Sequence, residues 1–384
     1  MRADSSSTCS CPCGSDVLLR RLELSDFRNY RRLDLEPSPG LNLLVGSNAQ
    51  GKSNLLEAIA LVGTGKSFRA ERDGDVVRSD CELGIVRATA AARTGEINLA
   101  CAIERDGRAT RKTFSLNGNS VRYARYLGRL RVVTFVPSDL QLVTGTPAVR
   151  RSFLNGALSQ SEPRYYHELA RYRRALQQRN ALLKDAGTLD EDLLEVYAKA
   201  LVDSGTHIML ARAALIGALQ PEAARAHDRF APGERLELRY DPNCAFESAT
   251  AHDVAAVLRA RLAESAERER ARRATVVGPH RDDVELILDG ASLEAYGSQG
   301  QQRTAVLALK VAEYSVMRER TADAPVLLLD DVLSELDEAR ASAFLGEMGA
   351  YEQAFVTATH LPKDLSAAGR TARVSGGTVE WIAC

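Results

Sequence analysis

The stretch "LNLLVGSNAQGKSNLLEAIALVG", Leu41 to Gly63, decides the fold. LNLLVG is a short apolar run suited to a buried strand, and NLLEAIALVG sets Leu55, Ile59 and Leu61 at helical spacing. Between them Gly46-Ser47-Asn48-Ala49-Gln50-Gly51-Lys52-Ser53 fills the pattern GxxxxGK[ST], in the strand, loop and helix order that the pattern needs. Glycines in such a loop let backbone N–H groups turn onto phosphate oxygens, and the helix adds the positive end of its dipole. Lys52 is then placed for the β- and γ-phosphates of ATP, Ser53 for Mg²⁺, and Asn54 opens the helix.

Gly-Lys-Ser recurs at Gly65 to Ser67. Here the first-glycine position is Ala60, and a helix end rather than a strand precedes Lys66. The second triplet is therefore not a phosphate loop of the same kind.

A nucleotide loop needs an acidic partner for its metal. APVLLLDDVLSELD supplies four apolar residues, Val326 to Leu329, followed by Asp330 and Asp331. Asp330 is expected to hold Mg²⁺ through water, and Asp331 to orient or deprotonate the attacking water. Upstream, Ser298-Gln299-Gly300-Gln301 opens a helix with Val306, Leu307, Leu309 and Val311 among its apolar positions, a second anion site at a helix N-terminus. Its place about thirty residues before an aspartate-ended strand resembles the signature motif of ATP-binding-cassette ATPases, which reaches the γ-phosphate held by a second subunit.

Strand chemistry continues on both sides of a helical stretch. Val17 onward reads as a strand pair, residues 81–133 alternate strands with turns, and Pro147 to Arg273 reads as helices of about 25 to 30 residues. VVGPHRDDVELILDG, APVLLLDD and QAFVTATH then return to strands. The expected fold is an α/β phosphate-loop core built from both chain ends, with a compact helical arm inserted. The divisions are a tail at 1–16, a first ATPase part at 17–145, the arm at 146–275 and a second ATPase part at 276–384.

DFRNY (Asp26 to Tyr30), the phosphate loop with NLLEAI, GKSFR (Gly65 to Arg69), FVPSDLQLVTGTPAVRRSFLN, GPHRDD, YGSQGQQR and LLLDDVLSELD together resemble the RecF family of bacterial recombination mediators. That family is similar to the heads of SMC proteins, whose coiled coils are hundreds of residues long, whereas the insert here is about 130 residues. The resemblance implies an ABC-type, SMC-head-like ATPase of two monomers that sandwiches two ATP molecules and grips double-stranded DNA at gap junctions. It implies slow hydrolysis, recombinational repair, and a RecR partner. Ser298, Gln299, Gly300 and Gln301 would serve the partner's ATP, Asp337 would lie in the loop crossing the dimer interface, and His360 would sense the γ-phosphate. The second acid is Asp331 where cassette ATPases usually carry Glu, and Gln141 is a Q-loop candidate by neighbourhood alone.

The charge balance, 50 basic against 51 acidic residues, requires any DNA surface to be local. Arg111, Lys112, Arg122, Arg125 and Arg129 cluster with Arg108 and Arg131 around Tyr123 and Tyr126, and Arg171, Arg173, Arg174 and Arg179 form a second group. Neutralising about six phosphates would give a log–log salt slope near −5 without sequence preference. Lys66 and Arg69 are expected to leave the far end of the nucleotide helix and meet DNA or the neighbouring lobe. Seven scattered cysteines without a CxxC pair fit a reducing compartment, the cytoplasm, and no apolar stretch approaches the length of a membrane span. Two other functions share these features: a DNA-binding module in which nucleotide merely stabilises the dimer, and a transporter-type cassette subunit with a membrane partner.

Overall fold

The computed structural model describes residues 17–382 apart from 93–94, 108, 186–189, 333–339, 341–343, 345, 347 and 361–368. β1 (Leu18–Phe27) and β2 (Tyr30–Leu35) form the expected antiparallel pair, reversed by Asp26 and Arg28 in left-handed conformations. β3 (Gly40–Val45) runs into the phosphate loop and α1 (Lys52–Thr64). β4 (Leu83–Ala92), β5 (Gly95–Asp106), β6 (Ala109–Leu116) and β7 (Asn119–Val121) extend the first hairpin into an antiparallel sheet of order β2-β1-β4-β5-β6-β7.

A single turn, α2 (Tyr123–Tyr126), leads to β8 (Val132–Phe135). Then come α3 (Gln141–Thr144), α4 (Pro147–Ser161), α5 (Pro163–Lys184) and α6 (Glu191–Phe230). At 40 residues α6 exceeds the expected length, because it continues through Pro221. An interior proline forfeits a helix hydrogen bond and costs about 3 kcal/mol. Burial of Leu219, Ala223, Ala226 and Phe230 offsets that loss, at roughly 1.5–3 kcal/mol for each large side chain. The arm is also not wholly helical as expected, since Leu236, Leu238 and Tyr240 alternate with polar residues in β9 (Leu236–Asp241).

After α7 (Ala251–Glu264) and α8 (Ala266–Arg272), β10 (Asp283–Leu288) pairs antiparallel with β9 and with β11 (Ala291–Ser292). α9 (Leu293–Tyr296) and α10 (Gln299–Thr321) precede β12 (Val326–Leu329), β13 (Gln353–Ala358), β14 (Gly369–Ser375) and β15 (Thr378–Trp381).

The central sheet has the order β15-β14-β3-β13-β12-β8, parallel from β14 to β8 with β15 antiparallel at the edge. Strands from both chain ends therefore interleave. Side chains alternate across a sheet, so its buried strands feed two cores. Val326, Leu328 and Phe355 join α1 and the antiparallel sheet, while Leu327, Leu329 and Val356 join α10, α4, α5 and α6. The second of these cores crosses the sequence divisions, since Leu154, Ile208 and Phe230 share it with Leu41 and Val306. A smaller core of Val202, Met209, Val254, Leu258 and Leu262 lies within the arm.

Candidate nucleotide site and basic surface

The sheet order brings the two nucleotide motifs together. β13 lies between β3 and β12, so its Thr357 stands between the phosphate loop and the acidic strand end. Ser53 Oγ donates to Asp330 Oδ1 at 2.8 Å across 277 residues of sequence, and Thr357 Oγ1 donates to the same oxygen at 3.0 Å. Thr357 Oγ1 also accepts from the Asp331 N–H at 2.8 Å, fixing a residue that adopts a positive φ of 53°. Thr357 thus orients both acids, although no sequence motif marks it.

Loop shape is enforced from outside. Gly51 has φ of 116°, and a Cβ there would stand 2.6 Å from Asn29 Nδ2. A Cβ on Gly46 would meet the Val374 carbonyl at 2.3 Å. Asn29 donates to the Gln50 carbonyl at 3.0 Å, Tyr30 OH to the Gly51 carbonyl at 3.0 Å, and the Gly376 N–H to Gln50 Oε1 at 2.8 Å. DFRNY is thereby a brace for the phosphate loop. Lys52 Nζ bridges the Gly46 and Ser47 carbonyls at 2.5 and 2.9 Å, which holds its cation over the loop. Partial burial lowers its pKa, against the opposing pull of Asp331 and then Asp330.

A cavity of about 370 Å³ is lined by Asn48, Ala49, Gly51, Lys52, Ser53, Asn54, Asp330, Asp331, Thr357 and, unexpectedly, Arg69. Arg69 does not leave the far end of α1. Its guanidinium returns to donate to Asn54 Oδ1 at 3.2 Å, beside the phosphate loop. The Ser53 hydroxyl and the Asp330 carboxylate converge on one point, a hard-oxygen pair that fits Mg²⁺ with water completing the shell. His360 follows β13 but is exposed, pairs with Thr359 Oγ1 at 3.1 Å, and takes no part in the cavity wall. Asp337 lies outside the described residues.

Ser298 caps α10: its Oγ accepts from the Gln301 N–H at 3.2 Å, and Gln301 Oε1 accepts from the Ser298 N–H at 2.9 Å. Ser298 and Gln299 are exposed and lie outside the cavity of their own chain.

The family model for the RecF/RecN/SMC N terminal domain matches residues 18–377. The protein called DNA replication and repair protein RecF of Symbiobacterium thermophilum is 44% identical over 94% of this chain and 98% of its own, and that of Gloeobacter violaceus is 43% identical over 90% and 92%. This chain belongs to the RecF family. Among solved structures, the recombination mediator RecF with ATP, of the RecFOR pathway, superposes with TM-score 0.89 at 31% identity over 97% of this chain and 99% of that one. The Smc head of Pyrococcus furiosus superposes with TM-score 0.57 at 16% identity over 95% and 96%, a likeness of fold. The expected ABC-type, SMC-head-like core is thus the fold of this RecF-family chain.

Its basic residues fall into two groups. Arg111, Arg122, Arg125 and Arg129 are exposed, and Lys66 joins them at the surface. Arg171, Arg173 and Arg174 on α5 are also exposed, and the edge-on contact of Tyr123 with Tyr166, 5.3 Å between centroids, brings α2 and α5 to one side. Other cations are engaged internally: Lys112 with Asp73 and the Gly65 carbonyl, Arg131 with Asp323, and buried Arg179 with Glu269 and Thr275. Arg108 lies outside the described residues. Among the described residues, no helix is long and apolar enough to cross a membrane, and no cluster of three His, Cys, Asp or Glu side chains could hold a metal.

Proposed function

We propose that this RecF-family chain is an ATP-dependent DNA-binding ATPase of recombinational repair, dimerising on ATP and acting at gap junctions in the cytoplasm with a RecR-like partner. The observation that supports it most is the convergence of Lys52, Ser53, Asp330 and Asp331 on one cavity, from motifs almost 280 residues apart. Gly46 through Asn54 wrap the phosphates and Lys52 offsets their charge. Ser53 and Asp330 would hold Mg²⁺, which would supply positive charge against the phosphates. Asp331, fixed by Thr357, orients the attacking water and accepts its proton. Arg69, in the same wall, adds a cation for the charge that develops in the transition state.

The start of α10, with Ser298 and Gln299 exposed, supplies N–H groups and a hydroxyl to the ATP of a second copy, while the family resemblance gives Asp337 to the loop crossing the dimer interface and His360 to sensing the γ-phosphate. The surface of Arg111, Arg122, Arg125 and Arg129 takes the DNA backbone. Sedimentation of the full chain with and without Mg²⁺-ATP, on gapped duplex, tests this reading. Native protein should become a DNA-bound dimer only with ATP, and a monomer that ignores ATP would overturn it.

A further inference from the structure

A second cleft, of about 440 Å³, opens where α2, α4 and α5 meet the loop after α1. It is separate from the phosphate cavity and shares no lining residue with it. Its lining includes the rings of Phe68, Tyr123 and Tyr166 together with Lys66 and Arg173, and also Asp139 and the paired Lys310 and Glu313. Among the described residues no carboxylate forms an ion pair with the Lys66 ammonium or the Arg173 guanidinium; desolvation, then Arg173 and Lys112, lower the Lys66 pKa, and Asp73 opposes them. Unpaired cations held together raise the local affinity for an anion.

Gly156 lines the same cleft from the middle of α4. Glycine weakens a helix, and nothing in the protein asks for it here: its φ is not positive, and a Cβ would meet no atom within 4 Å. Gly156 is exposed, and its missing side chain leaves the cleft open to solvent at that point. Aromatic rings, two cations without an ion-pair partner among the described residues and an open glycine are the chemistry that receives a base and its phosphate.

We infer that this cleft is a second nucleotide site, taking one nucleotide unit with its base against Tyr123 and Tyr166 and its phosphate at Lys66 and Arg173. The unit can come from an unpaired strand of bound DNA or from a free nucleotide. The strand source rests on the DNA-binding reading above.

The test uses the full chain with Mg²⁺-ATP and three probes: a duplex whose single-stranded tail begins with 2-aminopurine, the same duplex blunt-ended, and free 2-aminopurine riboside monophosphate. Gly156→Leu puts a bulky side chain on the cleft wall and Tyr166→Ala removes a stacking face. Native protein should quench the tailed or the free probe, which identifies the source, and should prefer it by about 5- to 150-fold over its cleft variants, the range that base stacking supplies. Blunt-duplex affinity should be unchanged in both variants, and the Tm of Gly156→Leu should match or exceed native. Quenching that survives Gly156→Leu, or no quenching by either probe, overturns the proposal. Failure of native protein to bind blunt duplex removes the DNA reading instead, and the free nucleotide then decides the cleft.

Discussion

The Ser67 hydroxyl, from the second Gly-Lys-Ser triplet, donates to Glu57 Oε1 of α1 at 2.5 Å. The same buried carboxylate takes Arg28 in two hydrogen bonds of 2.7 and 2.9 Å. Ser67 Oγ also accepts from the Arg69 and Ala70 N–H groups at 2.9 and 2.7 Å. One carboxylate therefore ties the DFRNY turn, the nucleotide helix and the segment carrying Arg69. Replacing Ser67 with Ala should loosen Arg69 at a cost of about 0.5–1.5 kcal/mol in stability, lowering ATP turnover while ATP binding persists. Comparison of kcat with fluorescent-ATP affinity checks this, and equal losses in both would contradict it.

Lys52→Ala should reduce ATP affinity by at least about tenfold, since it removes the one cation bridging the loop. Asp331→Asn should leave ATP-dependent dimerisation intact and abolish hydrolysis. Calorimetry and phosphate release separate the two. If gap repair in cells runs normally on Asp331→Asn, turnover is incidental and nucleotide serves only to hold the dimer.

Ser298→Arg should keep ATP binding and lose the ATP-induced dimer, because Ser298 is exposed and takes no part in lining its own cavity. Analytical ultracentrifugation with Mg²⁺-ATP reads this directly. A normal dimer would remove the signature turn from the interface.

Arg212, buried in α6, donates to Asp282 Oδ2 at 2.8 Å and to the Pro279 carbonyl at 2.6 Å, and Asp282 also takes Tyr240 OH and the Asn243 N–H. Removing one partner of such a pair strands the other, so Asp282→Asn should cost about 3–5 kcal/mol in urea unfolding. This network anchors the GPHRDD block to the arm.

His280, in the same block, pairs Nδ1 with Tyr172 OH at 2.6 Å and Nε2 with the Thr275 carbonyl at 3.1 Å. Burial lowers its pKa from 6.5 to about 4. The folded state thus prefers neutral imidazole. Its contribution is complete above about pH 6.5 and fades as pH falls toward 4, by about 3 kcal/mol in all. Urea unfolding at pH 7.5 and 4.5 should show that loss, and His280→Gln should flatten it.

The nucleotide motifs, their strands and the helix that each opens could be read from sequence because they are local: glycine positions, apolar runs and helix starts are encoded within about ten residues. β9 was hidden because a short alternating strand sat among strong helical periods, and the reach of α6 past Pro221 was hidden because propensity stops a helix that packing extends. The sequence alone determined what chemistry is present: a phosphate loop, two acids at a strand end, and a signature-like turn. Only the tertiary structure decided where Arg69, Thr357 and Glu57 stand. Those placements depend on β13 entering between β3 and β12, and on a loop folding back along α1, contacts between distant segments that no local pattern encodes.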